Sequence, residues 1–205
     1  MNIFQQHPWH GVEIGAESPK IVTAFIEIVP TDTIKYEVDK ASGWLKIDRP
    51  QLYSNRVPAM YGFIPQTYCG HNIAQTAQNS NPNISIKNGD GDPLDILVLS
   101  ENVVSQGGIL LKAKPIGGFC MIDKGEADDK IIAVLLNDAQ FGDIQDINEL
   151  PEKVIQRIKH YFMTYKNLPN ESSQIQLTNM YNRDAAYNII RQSVLDYKIL
   201  KENKL

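Results

Sequence analysis

The sequence predicts an α+β protein, mainly β, built as a small β-barrel with helices flanking it at the C-terminal end. Three observations carry this. Short apolar or alternating runs bounded by turn residues fill the first two thirds of the chain, apolar residues recur at helical spacing in the last third, and no internal repeat or linker intervenes. At 205 residues the length suits a single domain over 1–205, and the 42% apolar content suffices for a substantial core.

Residues 1–19 carry His7-Pro8-Trp9-His10, then Gly11, Gly15 and Pro19, and read as an irregular arm on the surface. The two histidines are half of a zinc pattern, but no second Cys or His pair stands at metal spacing, so the arm should be packed through Trp9. Residues 21–29 are apolar and β-branched with Glu27 alone among them. This is a largely buried strand whose acid lies near an edge or faces a polar cavity. In 33–38 the pattern alternates, Ile34, Tyr36 and Val38 sharing one face and Thr33, Lys35 and Glu37 the other. Lys35 and Glu37 therefore sit side by side, which spacing alone reads as a surface pair. Residues 39–43 turn, and 44–49 return as a second strand that Pro50 ends, giving a hairpin. Residues 52–68, rich in Tyr, Pro and Gly, read as irregular but ordered, and the polar stretch 70–88 as an inserted surface loop.

The centre of the chain is Asp90-Gly91-Asp92-Pro93-Leu94-Asp95, followed by Ile96, Leu97, Val98 and Leu99. Three carboxylates in six residues repel one another, so a fold that holds them together should also hold a counter-charge. Asp, Gly and Pro also make ordinary exposed turns. An EF-hand loop is disfavoured because Asp95 stands where that loop needs Gly, and a strand-like run follows. Residues 109–115 and 116–122 read as two strands meeting at Gly117-Gly118. Asp123, Glu126, Asp128 and Asp129 then precede another apolar strand over 131–136. The repetition of an acid turn feeding a buried strand favours a metal site over a plain turn. Pro151 opens a helix whose stripe is Val154, Ile155, Ile158, Phe162 and Tyr165, stopped by Asn167 and Pro169. A second helix starts near Asp184 with Ala186, Ile189, Ile190, Val194 and Tyr197 buried.

A net charge of −4 argues against a protein that holds duplex nucleic acid by phosphate neutralisation, while a local basic pocket for a small anion stays open. No apolar tract is long enough to span a bilayer and no signal-peptide pattern opens the chain, so a soluble, cytoplasmic protein without a membrane partner is expected. Cys69 and Cys120 fit free thiols in a reducing compartment, although a bridge between them stays open.

Glu27 in Ile26-Glu27-Ile28, Lys35 with Glu37, Arg49 after Ile47-Asp48, Tyr61-Gly62, the Asp90 to Asp95 signature, Asp123 and Asp128 with Lys130, and Tyr165-Lys166 follow in order. Together they resemble the soluble family I inorganic pyrophosphatases over most of the chain. The resemblance implies a five-stranded OB-type barrel and magnesium-dependent hydrolysis of inorganic diphosphate to two phosphates, with several ions per site. It further implies that Asp90, Asp95 and Asp128 hold activating magnesium. Asp123 with Asp128 would take an ion arriving with the substrate, and Glu37 would lie close to another. Asp92 would orient or deprotonate the attacking water. Lys35, Arg49, Tyr61, Lys130, Tyr165 and Lys166 would hold phosphate oxygens, with Glu27 supporting them from behind. Manganese should substitute, since an oxygen-only shell admits it. A homo-oligomer, hexamer or dimer, is implied as well. The chain departs from bacterial members in carrying Val57 four residues before Tyr61, where they have a phosphate-contacting Tyr, with Tyr53 nearby.

From spacing alone Tyr61 and Tyr165 read as core packing, and Lys166 as a cation offsetting a helix dipole. The competing function is an OB-type module that binds single-stranded nucleic acid or polyphosphate without turnover. A third reading, hydrolysis of organic diphosphates, lacks any purine or sugar pocket in the sequence.

Overall fold

A computed structural model of the protein describes residues 7–51, 54–166 and 175–203. In chain order its elements are β1 (Val22–Ile28), β2 (Ile34–Val38), β3 (Leu45–Pro50), β4 (Met60–Phe63), α1 (His71–Ser80), β5 (Asn88–Gly89), β6 (Asp95–Leu99), β7 (Ile109–Asp123), β8 (Glu126–Ala127), β9 (Lys130–Leu135), α2 (Glu152–Thr164), β10 (Ile175–Asn182) and α3 (Arg183–Asn203).

Five strands close into a ring. β1 pairs antiparallel with β4, β4 antiparallel with β6, β6 parallel with β9, β9 antiparallel with β7, and β7 returns antiparallel to β1. This is the expected OB-type barrel. The apolar runs are continuous rather than alternating because β6 and β9 are covered on both faces. Ile96, Val98, Ile131 and Ala133 share a core with Ile73 and Ala77 of α1 and Ala186, Ile189 and Ile190 of α3. Leu97, Leu99, Ile132 and Val134 pack instead with Phe119, Met121, Ile158 and Phe162.

The stretch read as two strands over 109–122 is one strand, β7, 15 residues long. Its first residues pair with β1, its middle with β9 and its end with β10, so it bends across the barrel, with a register shift between Pro115 and Gly117. Gly118 permits the close approach there. A Cβ at that position would stand 2.5 Å from the Tyr181 ring and 2.6 Å from the Lys130 carbonyl oxygen.

The segment 70–88 is not a loop throughout, because α1 occupies much of it and buries Ile73, Ala74 and Ala77. Residues 52–68 contain β4, and β10 was not foreseen. Tyr53, Asn167 and Pro169 lie outside the described residues. Trp9 is buried as expected, its indole N–H donating to the Thr67 carbonyl at 2.8 Å. Cys69 and Cys120 are buried free thiols. The β2–β3 hairpin forms a sheet of its own, and Val38 at the end of β2 donates its N–H to the Glu27 carboxylate on β1 at 2.7 Å. No helix among the described residues is long and apolar enough to cross a membrane.

Candidate active site

The acid turn is fixed at both ends by backbone. The Asp90 N–H donates to the Ala127 carbonyl at 3.1 Å, the Cys69 N–H to the Asp92 carbonyl at 2.8 Å, and the Ile64 N–H to the Leu94 carbonyl at 2.9 Å. Gly91 adopts φ +78°, a left-handed conformation that favours glycine and reverses the chain between Asp90 and Asp92. The Asp92 N–H donates to Asp90 Oδ1 at 3.0 Å, tying the two acids together.

The second acid turn lies beside the first, at the same end of the parallel β6–β9 pair. Asp128 is held by its N–H to the Met121 carbonyl at 2.9 Å, and Lys130 opens β9 as the register partner of Asp95 on β6. The buried Lys130 ammonium donates to both Asp95 Oδ2 and Asp128 Oδ1. Tyr61 on β4 donates its hydroxyl to Asp95 Oδ2 at 2.5 Å. Lys166 donates to Asp123 Oδ2 at 2.6 Å and lies 5.3 Å over the Tyr165 ring. From the hairpin, Lys35 donates to Glu37 at 3.2 Å and to Asp48 at 2.7 Å.

All of these side chains except Asp48 line one cleft of about 280 Å³. Of the thirteen residues expected at a site, twelve line it: Glu27, Lys35, Glu37, Tyr61, Asp90, Asp92, Asp95, Asp123, Asp128, Lys130, Tyr165 and Lys166. Arg49 does not. It is the β3 register partner of Lys35, and its guanidinium donates to Asp48 at 2.6 Å. Six further residues line the cleft that the sequence reading did not assign to the site, the polar or aromatic Trp9, Lys40, Phe63 and Glu126 together with Val38 and Pro93. Lys40 stands in the hairpin turn and donates to Asp92 Oδ1.

Crowding sets the electrostatics. Burial, reinforced by Asp128, pushes the Asp90 carboxyl up to about 9. Burial raises Asp95 as well, against the pull of Lys130, and it raises the Tyr61 phenol well above its usual value. Burial opposes the charge of Lys130, yet Asp128 and Asp95 outweigh it and hold that ammonium well above the ordinary lysine range. Glu27 is pushed up to about 8 by burial, against the Val38 hydrogen bond.

The inorganic pyrophosphatase family profile matches residues 24–198. An inorganic pyrophosphatase of Chlamydia muridarum is 44% identical over 196 residues, which span 93% of each chain. The chain belongs to the inorganic pyrophosphatase family. A soluble inorganic pyrophosphatase of Oryza sativa subsp. indica is 39% identical over 189 residues, covering 92% of this chain and 78% of its own. The crystal structure of the inorganic pyrophosphatase from Thermus thermophilus superposes with a TM-score of 0.78 at 31% identity, over 95% of this chain and 99% of that one.

The donor set of this pyrophosphatase cleft suits a hard divalent cation. Asp90, Asp95 and Asp128 offer oxygen only, and Asp90 and Asp95 are raised chiefly by burial with neighbouring carboxylates adding to it, so a cation bound among them would favour their charged forms. Among the described residues, no three acidic, His or Cys side chains stand close enough together to enclose an ion. Asp95 and Asp128 are turned to Lys130, and Asp92 to Lys40, so a cation must compete with those ammonium groups.

Proposed function

We propose that this protein hydrolyses inorganic diphosphate to two phosphates, with magnesium held by Asp90, Asp95 and Asp128 and with Asp92 directing the attacking water. The observation that carries this is the gathering of two acid turns with Lys35, Lys130 and Lys166 in one small cleft. Diphosphate repels an approaching hydroxide until its charge is neutralised, so cations on several sides are what its hydrolysis needs. When bound, magnesium supplies neutralisation of the phosphoryl charge and water acidic enough to act as a nucleophile near neutral pH. Asp123 and Glu37 would lie beside an ion arriving with the substrate.

The remaining groups bind and orient. Lys35, Lys130 and Lys166 act as point charges for phosphate oxygens, and Tyr61 and Tyr165 are hydrogen-bond donors kept neutral by burial. Arg49 offers a bidentate fork once its guanidinium turns from Asp48 toward the substrate. Glu27, buried behind β2, holds the backbone of Val38 and so steadies the strand carrying Lys35 and Glu37. A volume of about 280 Å³ suits a small inorganic anion better than a nucleotide. Eight acids among the lining residues (Glu27, Glu37, Asp90, Asp92, Asp95, Asp123, Glu126, Asp128) disfavour a module that grips a nucleic-acid backbone without turnover. Manganese should replace magnesium in an oxygen-only shell. The same reading expects a cytoplasmic homo-oligomer, dimer or hexamer, which sedimentation velocity would size.

The test is phosphate release from diphosphate with magnesium, with and without excess EDTA, for wild type and Asp92→Asn. Metal-dependent release that falls by about a hundredfold or more in the variant is the expected outcome. A folded, metal-saturated wild type that releases no phosphate would overturn the reading.

A further inference from the structure

The geometry points to Lys40 as a positioning residue for Asp92, an inference that rests on Asp92 as the residue directing the water. A carboxylate that directs water must be held so that one oxygen faces the water and stays free to accept its proton. Lys40 donates to Asp92 Oδ1, while Oδ2 has no hydrogen-bond partner among the described residues. The Asp92 side chain is 44% exposed, so water reaches it. Its backbone is anchored through the Asp92 carbonyl and N–H, but nothing else in the acid turn restrains the carboxylate itself. The hairpin supplies that restraint from 52 residues away.

Lys40 is itself braced. The turn that carries it is closed by Asp39, whose Oδ2 accepts from the Ser42 N–H at 2.9 Å and the Ser42 hydroxyl at 2.7 Å. Below the turn lies His7, whose Nδ1 accepts from the Trp9 N–H at 3.2 Å. That assigns the ring proton of the neutral imidazole to Nε2, which then donates to the Lys40 carbonyl at 3.2 Å. A Cβ at Gly43 would stand 2.8 Å from the His7 ring, so the glycine admits the arm against the turn. Trp9, buried and bonded to Thr67, fixes the arm to the barrel. The arm thereby joins the barrel to the turn that delivers the ammonium to Asp92.

A double-mutant cycle tests this, with kcat and KM for diphosphate measured at saturating magnesium for Lys40→Met, Lys40→Arg, Asp92→Asn and the Lys40→Met/Asp92→Asn double variant. A residue acting through Asp92 has nothing to act on once Asp92 no longer serves the water. Lys40→Met should lower kcat about tenfold or more with KM unchanged, a loss expected of a reacting group set slightly astray. Lys40→Arg should restore most of the rate, and the double variant should match Asp92→Asn within about twofold. Multiplying losses in the double variant, or a raised KM with kcat retained, would overturn the inference by showing that Lys40 serves the substrate directly. Asp92→Asn turning over at the wild-type rate would overturn the Asp92 reading itself, and that arm is read alone. Lys40 is half-exposed on a turn, so circular dichroism and urea midpoints should show folded variants. Lys40→Gln replaces Lys40→Met if they do not.

Discussion

Asp95 and Lys130 face each other as register partners at the first positions of two parallel neighbouring strands, and the Lys130 side chain, 2% exposed, donates to Asp95 and to Asp128. Removing one partner of such a group leaves buried charge uncompensated, which costs far more than the intact cluster contributes. Lys130→Met should therefore lose about 3–5 kcal/mol of stability in urea unfolding with EDTA present. A loss below about 1 kcal/mol would mean that removing the ammonium leaves no uncompensated buried charge in the metal-free fold.

Glu27 carries a pH signature. Its carboxyl is pushed from 4.5 to about 8 by burial, so the unfolded chain ionises before the folded one does. Stability from this group is full below about 4.5, declines as pH rises, and levels above about 8. Glu27→Gln keeps an oxygen for the Val38 N–H and cannot ionise, so its urea midpoint should decline less between pH 5 and 8 than that of wild type. The difference between the two profiles isolates Glu27, because Asp90 and Asp95 titrate in both. Parallel profiles would place the Glu27 carboxyl in the ordinary range.

Asp196 of α3 caps α1. Its carboxylate accepts from the N–H groups of Gly70, Asn72 and Ile73 and from the Asn72 side chain at 2.9–3.1 Å, meeting the unpaired donors and positive end of that helix. Asp196→Ala should cost about 2–3 kcal/mol in urea unfolding, and amide exchange should speed up most in α1. Uniform loss of protection across the barrel would show that the cap supports the whole fold rather than the helix.

That cap also explains what the sequence left hidden. The barrel strands were legible because both faces of β6 and β9 are buried and their residues run apolar without a break. The acid turns were legible because like charges so close in sequence demand an explanation. α1 was not, since Gly70 at its N-terminus offers no capping side chain and the cap comes from a residue more than 120 positions on. Lys40 was hidden for the same reason, as a turn lysine announces nothing until the fold brings Asp92 to it. Tyr61 and Tyr165 satisfy both readings of their spacing, with rings packed in the core beside Phe162 and hydroxyls at the cleft. Arg49 shows the limit of motif reading, because the motif carries the residue but not the direction in which its guanidinium points.

Trp9 links the arm to the acid turn through Thr67. The indole N–H donates to the Thr67 carbonyl, and the Thr67 hydroxyl accepts from the Leu94 N–H at 2.9 Å, next to the acids. The ring, 4% exposed, packs with Phe25, Val38, Phe63 and Tyr197 and stacks on His10 at a centroid distance of 4.4 Å. Two substitutions separate the hydrogen bond from the ring. Trp9→Phe should cost about 1–2 kcal/mol, for a lost hydrogen bond and a smaller ring, whereas Trp9→Ala should cost about 3–5 kcal/mol by opening a cavity. Urea unfolding of the two variants reads the difference. Equal losses would place the arm's attachment in the indole N–H alone, and no loss in either would mean that the arm does not hold to the barrel in solution.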